Sequence, residues 1–74
     1  MQTQVTIRMA RPADAPALHA LEELDSHRLA DGDVLVAEVD GELRAAHSLE
    51  SGTAVADPFR PTAELVELLA VAAR

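Results

Sequence analysis

Val34-Leu35-Val36-Ala37-Glu38-Val39-Asp40-Gly41-Glu42-Leu43-Arg44-Ala45-Ala46-His47-Ser48-Leu49 is the stretch that decides how this chain folds. Val34 to Val39 is rich in β-branched side chains and reads as a strand. It runs directly into Asp40-Gly41. A two-residue Asp-Gly connection is the strongest local signal for a type I′ hairpin, because both central residues need positive φ. A second strand over Glu42 to Leu49 follows. The short turn predicts the register: Val39 faces Glu42, Ala37 faces Arg44 and Leu35 faces Ala46 on one side, with Val36 opposite Ala45 and Val34 opposite His47 on the other. Both sides carry apolar residues, so both faces of the hairpin need cover.

Downstream, Ser51-Gly52 reads as a second tight turn that returns a third strand, Thr53 to Asp57, against the second, with Leu49 near Ala54 and His47 near Ala56. Pro58 ends it, since proline donates no ladder hydrogen bond. Pro61-Thr62 then opens a last helix, with Thr62 as N-cap and Glu64 and Glu67 in its first turns. Upstream, Asp25 to Asp33 lacks a period and is rich in turn formers, which reads as a loop. Before it, Ala17, Leu18, Ala20, Leu21 and Leu24 form a stripe at helical spacing, with His19, Glu22, Glu23 and Ser26 facing away. Pro12 suits the start of that helix and Asp14 its positive end, while Pro16 leaves open a start at an Asp14 cap. Val5, Ile7 and Met9 alternate with Thr6, Arg8 and Ala10, the pattern of a half-buried first strand. The order is β-α-β-β-β-α. This is an α+β fold with a mostly antiparallel four-stranded sheet and two helices, formed as one domain over residues 1–74 without repeats.

Composition narrows the function classes. Seventy-four residues make one small domain with a thin core. Fifteen of the apolar residues are alanine, so packing is close rather than bulky. No cysteine is present, which removes disulfides, thiolate chemistry and cysteine-held zinc. Thirteen acidic residues against six arginines and no lysine give a net charge of −7, which repels nucleic acid and anionic membranes. Phe59 is the single aromatic, so no base-stacking platform exists. No stretch approaches the roughly 20 apolar residues of a membrane span, and the opening residues lack a signal-peptide core. These features point to a soluble cytoplasmic protein without nucleic-acid or membrane partners.

The opening Val5-Thr6-Ile7-Arg8-Met9-Ala10-Arg11-Pro12-Ala13-Asp14-Ala15-Pro16-Ala17-Leu18, followed by the hairpin from Val34 to Gly41, resembles the N-terminal half of the GNAT superfamily of N-acetyltransferases. Such a strand carries Ile-Arg-x-Ala in that family, and such a helix start carries an Asp. The resemblance spans the chain up to the fourth strand and the helix after it, with the loop at 25–33 in place of a short second helix. It implies a site where the start of that helix presents backbone N–H groups to the pyrophosphate of acetyl-CoA, through a Gln/Arg-x-x-Gly-x-Gly/Ala loop. Here that stretch is Arg60-Pro61-Thr62-Ala63-Glu64-Leu65. Arg60 matches, Ala63 and Leu65 replace glycine, Pro61 removes a donor and Glu64 adds a carboxylate. The loop is degenerate. By this resemblance Arg60, Ala63 and Glu64 are the cofactor-binding candidates; no catalytic residue is carried over, and acetyl-CoA is a cofactor only if the chain is an acyl-transfer enzyme.

Among the residues themselves, His47 is the candidate general base, because imidazole titrates near neutral pH, although a half-buried strand histidine is the commoner reading. Asp25, His27, Asp31 and Asp33 supply carboxylates and an imidazole without any metal-ligand spacing, and read as a solvated acidic loop rather than a metal site. His19 and Glu23, four apart, read as a surface pair.

From Ala63 to Ala73 every residue except Glu64 and Glu67 is apolar. A helix on one sheet face needs a stripe only slightly over 100° wide. Leu65, Leu68, Leu69 and Ala72 are expected to cover the sheet, which leaves Val66, Ala70, Val71 and Ala73 for a partner, most simply a second copy in a two-fold homodimer. The leading expectation is a non-catalytic, self-associating or partner-binding module acting through this helix and a sheet edge. The alternative is an acetyl-CoA-dependent N-acetyltransferase, or a subunit of one, completed by another chain. A third is a piece of a longer enzyme, since the helical pattern reaches Arg74 without a stop signal.

Overall fold

Asp40 and Gly41 both take positive φ, 52° and 86°, so the Asp-Gly turn forms as its chemistry dictates and joins β2 (Val34–Val39) to β3 (Glu42–Ser48). The structure, a computed structural model, describes residues 3–29 and 32–74. β1 (Val5–Met9) pairs with β2, and β4 (Ala54–Ala56) with β3, giving a four-stranded antiparallel sheet in the order β1-β2-β3-β4. With α1 (Ala15–Asp25) and α2 (Ala63–Ala72), the element order is the α+β arrangement β-α-β-β-β-α.

The hairpin register departs from the expected one after its first two pairs. Val39 faces Glu42 and Glu38 faces Leu43, then a bulge follows, and Ala37 faces Ala45, Val36 faces Ala46, Leu35 faces His47 and Val34 faces Ser48. The residue passed over is Arg44. An unbroken ladder would set Arg44 against Ala37, inside the cluster that Ala37, Ala45, Leu65 and Leu69 form. A buried unpaired guanidinium is far costlier than one irregular ladder step. With the bulge, Ala45 takes that place and Arg44 reaches Glu42 at 2.6 Å and Asp57 at 3.9 Å.

The second turn also differs from expectation. Gly52 has φ of 74°, but Ser51 does not enter the positive region. A four-residue connection results, closed by Ser48 N–H to the Thr53 carbonyl (2.8 Å) and Gly52 N–H to the Ser48 carbonyl (2.9 Å). β3–β4 pairing is therefore Ala45–Ala56, Ala46–Val55 and His47–Ala54, in place of Leu49–Ala54 and His47–Ala56. Asp enters the left-handed backbone more readily than Ser, so the I′ geometry favoured at Asp40-Gly41 is less favoured at Ser51-Gly52.

The helices lie on opposite faces. α1 covers Val34, Val36, Ala46 and Val55 through Leu21, with Leu18 and Leu29 at the margin. Its entry is a 3-10 turn at Pro12–Asp14, which takes Pro12, while Pro16 falls in the first turn of α1, where its missing N–H breaks no ladder bond. The inward stripe is narrower than expected: Ala17, Ala20 and Leu24 are exposed, whereas Glu22 is half-buried. Glu22 turns inward because its carboxylate accepts the Leu29 N–H at 2.7 Å. α2 covers Ala37 and Ala45 through Leu65 and Leu69, flanked by Val66. No described helix is long and apolar enough to cross a membrane.

Candidate functional site

At the start of α2 the chain makes a tight approach built on Asp57. Its Oδ1 accepts the Phe59 N–H at 2.9 Å, and its carbonyl accepts the Arg60 N–H at 3.3 Å and the Thr62 hydroxyl at 3.4 Å. Thr62 occupies the N-cap position as expected, but its side chain bonds back to Asp57 and makes no cap bond to the helix. This approach, with the Asp40-Gly41 turn and β1, encloses a hollow of about 510 Å3 lined by Arg44, Arg60, Thr62, Glu64, Asp40 and Glu42 together with Val5, Val39 and Leu65. Arg60 and Glu64 of the cofactor-binding candidates thus meet in one place, joined by Arg44; Ala63 does not line it.

Charge in the hollow runs against a polyphosphate. Two guanidiniums stand among three carboxylates, and Arg44 is already held by Glu42 at 2.6 Å. Arg60 makes no ion pair among the described residues. A helix N-terminus attracts anions, but Glu64 in the first turn already supplies the negative charge it favours.

His47 lies on the α2 face of β3, between Leu35 and Ala54, and its Nδ1 is buried without a hydrogen-bond partner among the described residues. A general base is commonly oriented by a hydrogen bond from a second group, and no hydrogen bond to the His47 ring is present among the described residues. The acidic loop is likewise dispersed. His27 Nδ1 donates to the Asp25 carbonyl at 2.8 Å, and the Asp25 carboxylate accepts the Ala56 N–H on β4 at 3.3 Å. Asp31 lies outside the described residues. His19 pairs with Glu22 at 3.2 Å, not with Glu23, because the inward turn of Glu22 brings it under the imidazole.

One polar constellation was not foreseen. Arg8 gives a bidentate pair to Asp14, Nη1 to Oδ2 at 2.8 Å and Nη2 to Oδ1 at 3.0 Å, while its Nε donates to Glu38 at 2.6 Å. Asp14 Oδ2 also accepts the Arg11 N–H at 2.7 Å. The Arg8 guanidinium, and after it the Arg11 N–H, hold the Asp14 carboxyl well below the usual carboxylate range. Glu22 is lowered too, first by the Leu29 N–H and then by His19. Part of the signal was in the sequence, since a lone Glu38 inside an apolar strand needs a partner; that Arg8 supplies it depends on the pairing of β1 with β2.

On α2 the outer flank differs from the expected one. Leu65 and Leu69 are buried, but Leu68 is 48% exposed and Val71 58%. Ala70 and Ala72 are exposed, whereas Val66 and Ala73 are half-buried. The inward stripe is thus Leu65, Val66, Leu69 and Ala73, and the free flank is Leu68, Ala70, Val71 and Ala72. Leu68 and Ala72 were expected against the sheet and Val66 and Ala73 outside; the helix is rolled about its axis because Leu65 and Leu69, one turn apart, both seat on the Ala37–Ala45 pair. Comparison with protein-family models, with curated proteins and with solved structures gives no match.

Proposed function

We propose that this chain is a small GNAT-like domain that works without catalysis, as a self-associating or partner-binding module using its C-terminal helix and a sheet edge. The observation that carries the reading is the exposed apolar flank of α2, Leu68 and Val71, beside a β1 whose Val5 and Met9 are 45% and 43% exposed. A folded monomer of 7.9 kDa has an accessible surface of about 4,400 Å2; this chain has 5049 Å2. The excess agrees with a face meant to be covered. The likeness to the GNAT half-fold is supported by the element order and by Arg8 and Asp14, two residues of the motif, which meet in the ion pair. A cytoplasmic setting and a two-fold homodimer belong to the same proposal. Sedimentation equilibrium tests it: the weight-average mass should rise from 7.9 kDa toward twice that value with concentration, and a constant 7.9 kDa would refute self-association.

The second reading, acetyl-CoA-dependent N-acetyl transfer completed by another chain, is favoured by Arg60, which lines the hollow at the start of α2 and makes no ion pair among the described residues. Calorimetric titration with acetyl-CoA separates the two. Heat that disappears in Arg60→Ala would favour the enzyme; no heat at millimolar ligand would remove it for this chain alone.

A further inference from the structure

The two edges of the sheet are finished differently. β4 has only three residues and is followed by Pro58, and its Ala56 N–H is occupied by the Asp25 carboxylate reaching across from α1 at 3.3 Å. A short strand, a proline and a charged cover are the usual means by which an edge is kept from pairing. β1 lacks the first two, and the charged contact on its open side, Arg8 Nη1 to the Met9 carbonyl, reaches only one end of the strand. Its five residues, Val5 to Met9, contain no proline, and the one β-bulge recorded in the sheet falls in the β2–β3 ladder.

The unused hydrogen-bonding groups of β1 can be assigned. Asp40 N–H donates to the Gln4 carbonyl at 2.9 Å at one end of the β1–β2 ladder, and Ala10 N–H donates to the Val34 carbonyl at 2.8 Å at the other. In an antiparallel ladder such bonded pairs recur every second residue. The even-numbered residues therefore face β2, and the N–H and C=O groups of Val5, Ile7 and Met9 point to the open side. The Met9 carbonyl already accepts Arg8 Nη1 at 3.0 Å and keeps its second lone pair.

We infer that β1 is the self-association edge: two copies join β1 to β1 about a two-fold axis at Ile7, making one continuous eight-stranded antiparallel sheet. The inference rests on the self-association reading above and names its seam and register. The strand is self-complementary over its full length in this register alone. Ile7 meets the partner's Ile7, Val5 meets the partner's Met9, and Thr6 meets the partner's Arg8, so apolar faces apolar and no like charges oppose each other. A shift of one residue would set the apolar row against the polar one. Val5, Ile7 and Met9 lie on the α2 face, since they pair with Val39, Ala37 and Leu35. Joined in this way they form one apolar strip between the two α2 helices; Glu64 lines the hollow with Val5, and Leu68, one turn further on, lies on that same side of α2. A five-residue seam is smaller than the roughly 800 Å2 per partner of a standard interface, so the dimer is a weak one, to be followed from about 1 µM to 1 mM.

The register supplies the test. Val5→Lys with Met9→Lys in one chain opposes two lysine pairs across the seam; Val5→Lys with Met9→Glu puts each lysine against a glutamate. Sedimentation equilibrium on both, beside the unaltered chain, should show the dimer constant weakened about tenfold or more in the first and within about threefold of the original in the second. Overall charge works in the opposite sense, because two added lysines move the net charge from −7 to −5 and relieve repulsion. Dimers of equal strength in all three proteins would overturn the β1 seam and leave self-association standing; an unaltered chain that never dimerises would overturn both. Should the doubly charged variants unfold, Val5→Cys and Met9→Cys chains, mixed and treated with a short bis-maleimide, should yield a cross-linked product absent from either alone; its absence from a mixture that sediments as dimer would overturn the seam.

Discussion

Beneath α1 the sheet is closed by directed contacts, whereas beneath α2 it is closed by two leucines. On the α1 side, Leu21 fills the centre, Arg8 ties β1 to the helix entry through Asp14 and to β2 through Glu38, and Asp25 reaches the far edge at Ala56. Apolar cover there spans β2, β3 and β4, and the ion pairs tie β1 to β2 and to the helix entry. On the α2 side, Leu65 and Leu69 seat on Ala37 and Ala45, and nothing described covers Val5 or Met9. A single helix about 10 Å across cannot cover four strands spaced about 4.8 Å apart. The difference teaches where the molecule is complete and where it invites a partner.

The contrast can be broken most forcefully at Leu69. It is fully buried in a cluster otherwise made largely of alanines, so Leu69→Ala should cost about 2 to 5 kcal/mol, a large part of what so small a domain has. Urea unfolding measures this, and a loss below about 1 kcal/mol would mean that α2 is held by something other than these two leucines.

The α1 side should instead be sensitive to acid. Asp14 and Glu22 have folded-state pKa values below their unfolded ones. Their contribution is complete above the unfolded carboxyl pKa of about 4 and is lost as pH falls through the depressed folded values. Stability should therefore decline below about pH 4, and Asp14→Asn should show a shallower decline than the original chain. An unchanged acid slope in Asp14→Asn would remove the ion-pair account of that face.

Much of this was legible beforehand. Period-2 and period-3.6 patterns gave the element order, and Asp40-Gly41 gave the turn, because both depend on local backbone chemistry. What was not legible depends on tertiary choice. The bulge that passes over Arg44 is invisible until α2 is known to lie over Ala37. The roll of α2, which buries Val66 and exposes Leu68, is set by the same alanine pair, since the helix is apolar almost all round. Arg8 read as an outward strand residue because its partners, Asp14 and Glu38, come from separate elements. Of the candidate site, Arg60 and Glu64 were named through the resemblance alone, and the arrival of Arg44 beside them followed from the bulge.

The smallest effect sharpens the comparison at the start of α2. Thr62→Ala would ordinarily remove a cap worth about 1 kcal/mol. Here the hydroxyl bonds weakly to the Asp57 carbonyl and not to the helix, so the change should stay within about 0.5 kcal/mol by urea unfolding. A loss of a full kilocalorie would show that the hydroxyl caps the helix in solution.

Amide hydrogen exchange followed as a function of protein concentration bears most directly on the claim that one face is finished and the other is not. Exchange at Val5, Ile7 and Met9 and through Leu65–Ala72 should slow as concentration rises, while Leu18–Asp25 in α1 keeps its rates. Rates that are independent of concentration in both regions, or that change equally in both, would contradict it.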